Sequence, residues 1–150
     1  MDASIPGTMV LLTRLSRAVY RLASEDVIGM RLKQFVGLSV LRDHGSLSQQ
    51  ALGESLHLDP NNLVLLLNDA EAQGFVERRR DPSDRRRHIV ELTKAGRKAV
   101  EKAERAFESV EDEVLATLSA EERAELRRLL RRALEGNGVA LDAPKVAARA

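Results

Sequence analysis

The 150-residue chain contains no cysteine, which removes disulfides, thiolate catalysis, thiol redox sensing and cysteine-ligated zinc. Aromatic residues are scarce at 3%, namely Tyr20, Phe35, Phe75 and Phe107. That is too few for a base-stacking platform on single-stranded nucleic acid or a carbohydrate-binding face. No apolar run approaches the roughly 20 residues that span a bilayer, and Met1 to Thr8 lacks the basic-then-apolar order of a secretory signal, so a cytoplasmic chain with no membrane partner is expected. Catalytic and metal-binding patterns are missing too. His44, His57 and His88 fall in different segments without the i, i+4 spacing of a zinc pair, and no nucleophile or acid-base motif surrounds them. The nine glycines are scattered as helix stops and form no phosphate-binding loop. No enzyme, metal or cofactor is expected.

What is present is a large apolar fraction, 43%, enough for a buried core in a single domain over residues 1–150. The net charge of +1 conceals a local excess. Arg78, Arg79, Arg80, Arg85, Arg86 and Arg87 set six positive charges against Asp81 and Asp84, so ten residues carry +4 and the other 140 carry a net −3. A mildly acidic body with one basic projection results, and six arginines around a Pro-Ser tip repel one another unless an anion visits.

Periodicity divides the chain. Leu11, Leu12, Leu15, Val19 and Leu22 recur at helical spacing, with Arg14, Arg17 and Arg21 on another face. A second helix carries Phe35, Leu38 and Leu41 and stops at Asp43-His44-Gly45, where glycine suits a left-handed cap. Ser48 predicts the N-cap of a short helix bearing Ala51, Leu52 and Leu56 and ending near His57. Asp59-Pro60 predicts another helix start, and that helix runs to Gly74. In it Leu63, Leu66, Leu67 and Ala70 face inward, leaving Asn61, Leu65 and Asn68 outward, flanked by Asn62, Val64 and Asp69. The period then alternates in Phe75-Val76-Glu77-Arg78 and again in His88 to Leu92, which predicts a β-hairpin with a long basic tip. From Val100 through Phe107 to Leu118 the steps of three and four describe a long helix with a coiled-coil-like seam, implying a partner helix. Ser119-Ala120-Glu121-Glu122 is a capping box that opens a last helix bearing Leu126, Leu129, Leu130 and Ala133, expected to end before Gly136.

Two short helices, the second with a polar outward face, followed by a basic hairpin, fit a helix-turn-helix reader with a wing. Asparagine pairs with adenine in the major groove, so Asn61, Asn62 and Asn68 are candidate readers. Val64 and Leu65 either meet thymine methyl groups or pack under the hairpin. The tip arginines Arg85, Arg86 and Arg87 suit phosphate or the narrow minor groove, with Asp84 close enough to orient Arg86. Ser48 and Gln49, at the start of the first short helix, join the candidate DNA contacts. An alternative from another class is a winged-helix protein-interaction module that has lost operator reading and offers Val64 and Leu65 to another protein.

These residues resemble the MarR family of winged helix-turn-helix transcriptional regulators. The likeness runs roughly from Val10 to Glu135 and is sharpest at Leu58-Asp59-Pro60, Gly74-Phe75-Val76, Asp81-Pro82-Ser83-Asp84-Arg85-Arg86 and Leu92-Thr93-Lys94-Ala95-Gly96-Arg97. It implies a mainly α fold with a small β-hairpin wing. Residues 8–28 and 94–135 would form a helical dimerisation region, 32–93 the winged helix-turn-helix lobe, and 136–150 a flexible tail. It also implies a homodimer acting on double-stranded DNA, usually as a repressor. The recognition helix falls on Asp59 to Gln73, and the wing-tip minor-groove arginine on Arg86 with Asp84 as its partner. Family members are often released from DNA by a small aromatic or phenolic effector; here Arg17, Tyr20, Phe35 and Phe107 are the candidate lining. The chain departs from the pattern in mid-recognition helix. Val64 and Leu65 stand where many members have a hydroxyl residue and arginine, and Asp69 stands where a basic residue is common.

Overall fold

The computed structural model describes residue 4 and residues 6–138. Among these, α1 (Thr8–Leu22), α2 (Glu25–Ile28) and α3 (Leu32–His44) lead into β1 (Leu47–Ser48), α4 (Gln49–Leu56) and α5 (Pro60–Ala72). Strands β2 (Val76–Arg80) and β3 (His88–Leu92) follow, then α6 (Lys94–Val114) and α7 (Ala120–Gly136). None of the helices is long and apolar enough to cross a membrane. The expected architecture, mainly helical with a β-hairpin wing, is the one observed.

Local chemistry sets the helix starts. Ser48 Oγ accepts from the Ala51 amide at 3.1 Å, Asp59 Oδ1 from Asn62 at 3.0 Å and Thr93 Oγ1 from Gly96 at 3.0 Å. The capping box is complete: Ser119 Oγ accepts from the Glu122 amide at 3.1 Å, and Glu122 Oε1 accepts from the Ser119 amide at 2.9 Å. Each such cap contributes about 1 kcal/mol by satisfying amides that have no partner inside the helix.

The core lies where α3, α4, α5 and the sheet meet the first half of α6. Leu38, Leu41, Leu52, Leu67, Val76, Val90 and Val100 are fully buried there, each contributing about 1.5–3 kcal/mol from removal of apolar surface from water. The Arg42 guanidinium donates to Glu104 at 2.6 Å and ties α3 to α6. Gly96, in the first turn of α6, sits directly on the Phe75 backbone.

The sheet has a third strand that the sequence did not announce. β1 pairs antiparallel with β3 (Leu47 opposite Val90), and β3 pairs with β2 (Arg78 opposite Val90, Arg80 opposite His88). Two residues cannot show an alternating pattern, so β1 leaves no periodic trace; the one-turn α2 is invisible for the same reason. Further details differ from expectation. Gly45 has φ 79° but ψ −124°, so its positive φ does not make a left-handed helical cap. α5 ends at Ala72, two residues before the turn glycine Gly74. α6 stops at Val114, leaving Leu118 in the turn that follows, and α7 includes Gly136. Gly37, Gly53 and Gly96 lie inside helices where neighbouring segments approach closely, so they are packing positions and not stops. Of the expected 136–150 tail, residues 139–150 lie outside the described residues.

Two apolar surfaces have no cover among the described residues. Met9, Val10, Leu11, Leu12 and Leu15 on α1 are exposed, as are Leu129, Leu130 and Leu134 on α7, and neither helix contains a buried residue.

Candidate nucleic-acid interface

Helix α5 is anchored by Leu63, Leu67 and Ala70, all buried, with Leu66 partly so. Its other face carries Asn61, Asn62, Val64, Leu65, Asn68 and Asp69, all exposed. Leu65 is 62% exposed and Val64 37%, so the hairpin does not cover them. Between the two readings of this apolar pair, the structure rejects burial beneath the wing.

The hairpin tip is held by its own acids. Asp81 Oδ1 accepts from the amide and hydroxyl of Ser83 at 2.9 and 2.7 Å. These bonds, helped by Arg87 and Arg79, keep its carboxyl below the usual aspartate range. Asp84 Oδ1 accepts from the Arg86 amide at 3.1 Å, and the Asp84 carboxylate lies 3.6 Å from Nε of both Arg86 and Arg87. Asp84 therefore orients two arginines, where the sequence suggested one. The Arg86 side chain is 95% exposed. In so open a turn these pairs contribute little stability, and their consequence is direction.

The six arginines do not form one cluster. Arg78 turns back from β2 onto α5, its Nε donating to Glu71 at 2.8 Å and its Nη2 to Asn68 Oδ1 at 2.7 Å. The bond from Arg78 holds the Glu71 carboxyl below the usual glutamate range. Arg79 lies 3.6 Å from Glu91 across the sheet. Arg80, Arg85, Arg86 and Arg87 remain exposed toward the tip. The anion-facing set is thus smaller than composition suggested. Arg78 is a wing-to-helix clamp that sequence spacing could not identify, because its partners lie seven and ten residues away across a turn.

Ser48, Gln49, Arg86 and Arg87 do come together. With Pro60 and His88 they line an open concavity of about 760 Å³ between α4, the start of α5 and the wing. His57 and Asn137 also border it, neither of them flagged by the sequence. His44 is structural, its Nδ1 lying 2.9 Å from the Val40 carbonyl oxygen. No group of three metal-ligating side chains occurs among the described residues.

The four candidate effector residues are not assembled within one chain. Phe35 and Phe107 stack with ring centroids 4.9 Å apart and line a cavity of about 430 Å³ with Leu15, Val19 and Leu126. Arg17 instead borders a groove with Arg14 and Arg21, and Tyr20 is exposed. Arg17 is two positions after Leu15, about 200° around the helix, which turns it to the opposite side of α1. The charged groups on the aromatic cavity are Glu104, Glu108 and Glu111.

The MarR family model matches residues 30–88. The HTH-type transcriptional regulator YdgJ of Bacillus subtilis (strain 168) is 33% identical over 71% of this chain and 70% of its own length. Three curated relatives at 32–34% identity are spanned over 57%, 66% and 70% of their lengths. Among solved structures, a cysteine-to-serine mutant of MarR from E. coli complexed with operator DNA superimposes with TM-score 0.72 at 25% identity, over 84% of this chain and 92% of that one. PcaV from Streptomyces coelicolor, in complex with its natural ligand, gives TM-score 0.73 at 26% identity over 90% and 98%. The chain belongs to the MarR family of winged-helix transcriptional regulators, which are not enzymes.

Proposed function

We propose that the chain is a homodimeric repressor that binds an inverted repeat, each α5 lying in a major groove and each wing tip on the flanking backbone and minor groove. The observation that carries this reading is the concavity where Arg86 and Arg87 face Ser48, Gln49 and the start of α5, beside the exposed polar face of α5. Cations fixed at the edge of a groove and side chains projecting from a helix are the two parts a duplex reader needs: phosphate contacts set position, and base-edge contacts set sequence. Asn61, Asn62 and Asn68 supply polar readers, and the exposed Val64 and Leu65 supply contacts for thymine methyls. The operator-bound MarR structure supports this use of the fold.

Dimerisation is supported by the uncovered apolar faces of α1 and α7, since contiguous exposed leucines at helical spacing mark an interface. Two lobes related by a twofold then address half-sites about one helical turn apart. The ligand complex of PcaV supports the binding of a small molecule by this fold; release would follow only from that molecule's differential affinity for the bound and released arrangements. The Phe35–Phe107 cavity is the candidate seat for its aromatic ring. Cytoplasmic residence accords with this role.

Footprinting on the DNA flanking the coding region tests the reading. Two protected half-sites about one helical turn apart are expected, and absence of protection at low salt contradicts it. The exposed Leu65 favours one alternative, a protein-interaction module; tight capture of a partner protein without any DNA shift would establish that reading.

A further inference from the structure

The asparagines on the outer face of α5 are not chemically equivalent, because two of them already have half of their amide engaged. Asn68 lies 2.7 Å from Arg78 Nη2. A guanidinium has donors and no acceptor, so the Asn68 atom facing it must be the carbonyl oxygen. Asn62 lies 2.6 Å from Asp59 Oδ2. A carboxylate only accepts, so there the amide nitrogen is the one engaged. Partner chemistry thus fixes both amide orientations. Asn68 is left with an outward NH₂ donor and Asn62 with an outward carbonyl acceptor. Asn61 has no side-chain partner among the described residues and keeps both.

Every base pair shows the major groove one keto oxygen and one amino group: guanine O6 or thymine O4 accepts, and cytosine N4 or adenine N6 donates. Adenine N7 accepts as well, so cytosine is the one base that shows the major groove no acceptor. We propose that Arg78 and Asp59 set opposite polarities on two base readers, so that Asn68 excludes cytosine and Asn62 selects an amino base (A or C). Bidentate pairing with adenine, which needs both ends of the amide, is then confined to Asn61. The two readers are six residues apart, about 9 Å along the helix axis, so the two requirements fall on different base pairs. Arg78 is a positioning residue for base choice. Though it sits on the wing's first strand, it acts through Asn68 and not through phosphate.

The inference rests on the DNA-reading function proposed above. Its test is competition binding of the full-length chain to a panel carrying every single base-pair change in the footprinted site. Asn68→Ala identifies the position that Asn68 reads as the one where discrimination disappears. At that position the unaltered protein should disfavour cytosine by roughly tenfold against G, T or A, in the range set by single mismatches. Asn68→Asp keeps an acceptor for Arg78 but presents a second acceptor outward, so the preference should invert to an amino base (C or A) there. Arg78→Met removes the clamp while keeping the stem, so Asn68 can rotate and the ratio should fall to about twofold or less, cytosine becoming acceptable. Uniform weakening at all positions by either variant would assign them a merely structural role and overturn the proposal. So would a cytosine preference in the unaltered protein, or an Asn68→Ala profile without a single affected position. An unaltered chain that binds no duplex at all overturns the underlying reading instead, and does so before any variant is compared.

Discussion

Replacing Gly96 with alanine should destabilise the protein even though alanine is the better helix former. A Cβ built at Gly96 lies 2.0 Å from the Phe75 carbonyl oxygen and 2.8 Å from its carbonyl carbon. The contact falls about 1.4 Å short of ordinary van der Waals distance, and the obstacle is backbone that no rotamer change can relieve. The same backbone is held by the N-cap of α6, since the Thr93 amide donates to Phe75 O at 3.0 Å and Thr93 Oγ1 donates to Gly74 O at 2.6 Å. Relief therefore requires unseating β2 from the first turn of α6. The gain in helix propensity is about 1 kcal/mol. Against it stand about 1–3 kcal/mol for overpacking and about 1 kcal/mol for disturbing the Thr93 cap. The balance is a loss of about 2 kcal/mol, or about 4–8 °C in Tm for a chain of this length. Urea and thermal unfolding at matched protein concentration measure it, because association contributes to apparent stability. A Gly96→Ala protein as stable as the original would refute the close packing of α6 on the wing.

Two other perturbations probe separate parts of the account. Leu130→Glu combined with Leu134→Glu places carboxylates on the uncovered face of α7; sedimentation should show a shift from dimer to monomer with the helical content of the lobe retained, and an unchanged dimer would remove α7 from the interface. The Glu122 carboxyl accepts from the Ser119 amide and hydroxyl, which holds it below the ordinary glutamate value of 4.5. The folded chain therefore binds that proton less readily than the unfolded one, so the contribution is complete above about pH 4.5 and is lost as pH falls below it. Glu122→Gln keeps the acceptor without titrating and should flatten this acid limb of stability; an identical slope would show that the capping box does not titrate with folding.

Much of the fold was readable because its signals are local. Caps at Ser48, Asp59 and Ser119 and the apolar spacing of α5 lie within one or two turns of the residues they organise. The wing announced itself by a change of period and by its arginines. What escaped detection depends on neighbours distant in sequence or on elements too short to have a period. β1 is two residues that become a strand only because β3 passes beside them. Arg78 looked like one more tip cation until the fold brought it onto Glu71 and Asn68. The inner and outer faces of α5 were assigned correctly, yet helical spacing could not reveal that Asn62 and Asn68 each spend half an amide on a neighbour. Of the candidate effector residues, Phe35 and Phe107 meet because α3 packs on α6, whereas Arg17 borders a separate groove on α1 and Tyr20 is exposed, relations that depend on the packed fold and not on spacing.

The central claim, that wing and recognition helix grip duplex DNA as a pair of lobes, is tested most directly by the salt dependence of binding to the footprinted site. Each phosphate contact contributes about −0.9 to the slope of log affinity against log salt. Removing Arg86 from both lobes of a dimer should therefore make the slope shallower by about 1.8 while weakening binding to all sequences alike. An Arg86→Ala protein with the original affinity and slope, or an unaltered chain indifferent to duplex DNA at low ionic strength, would contradict it.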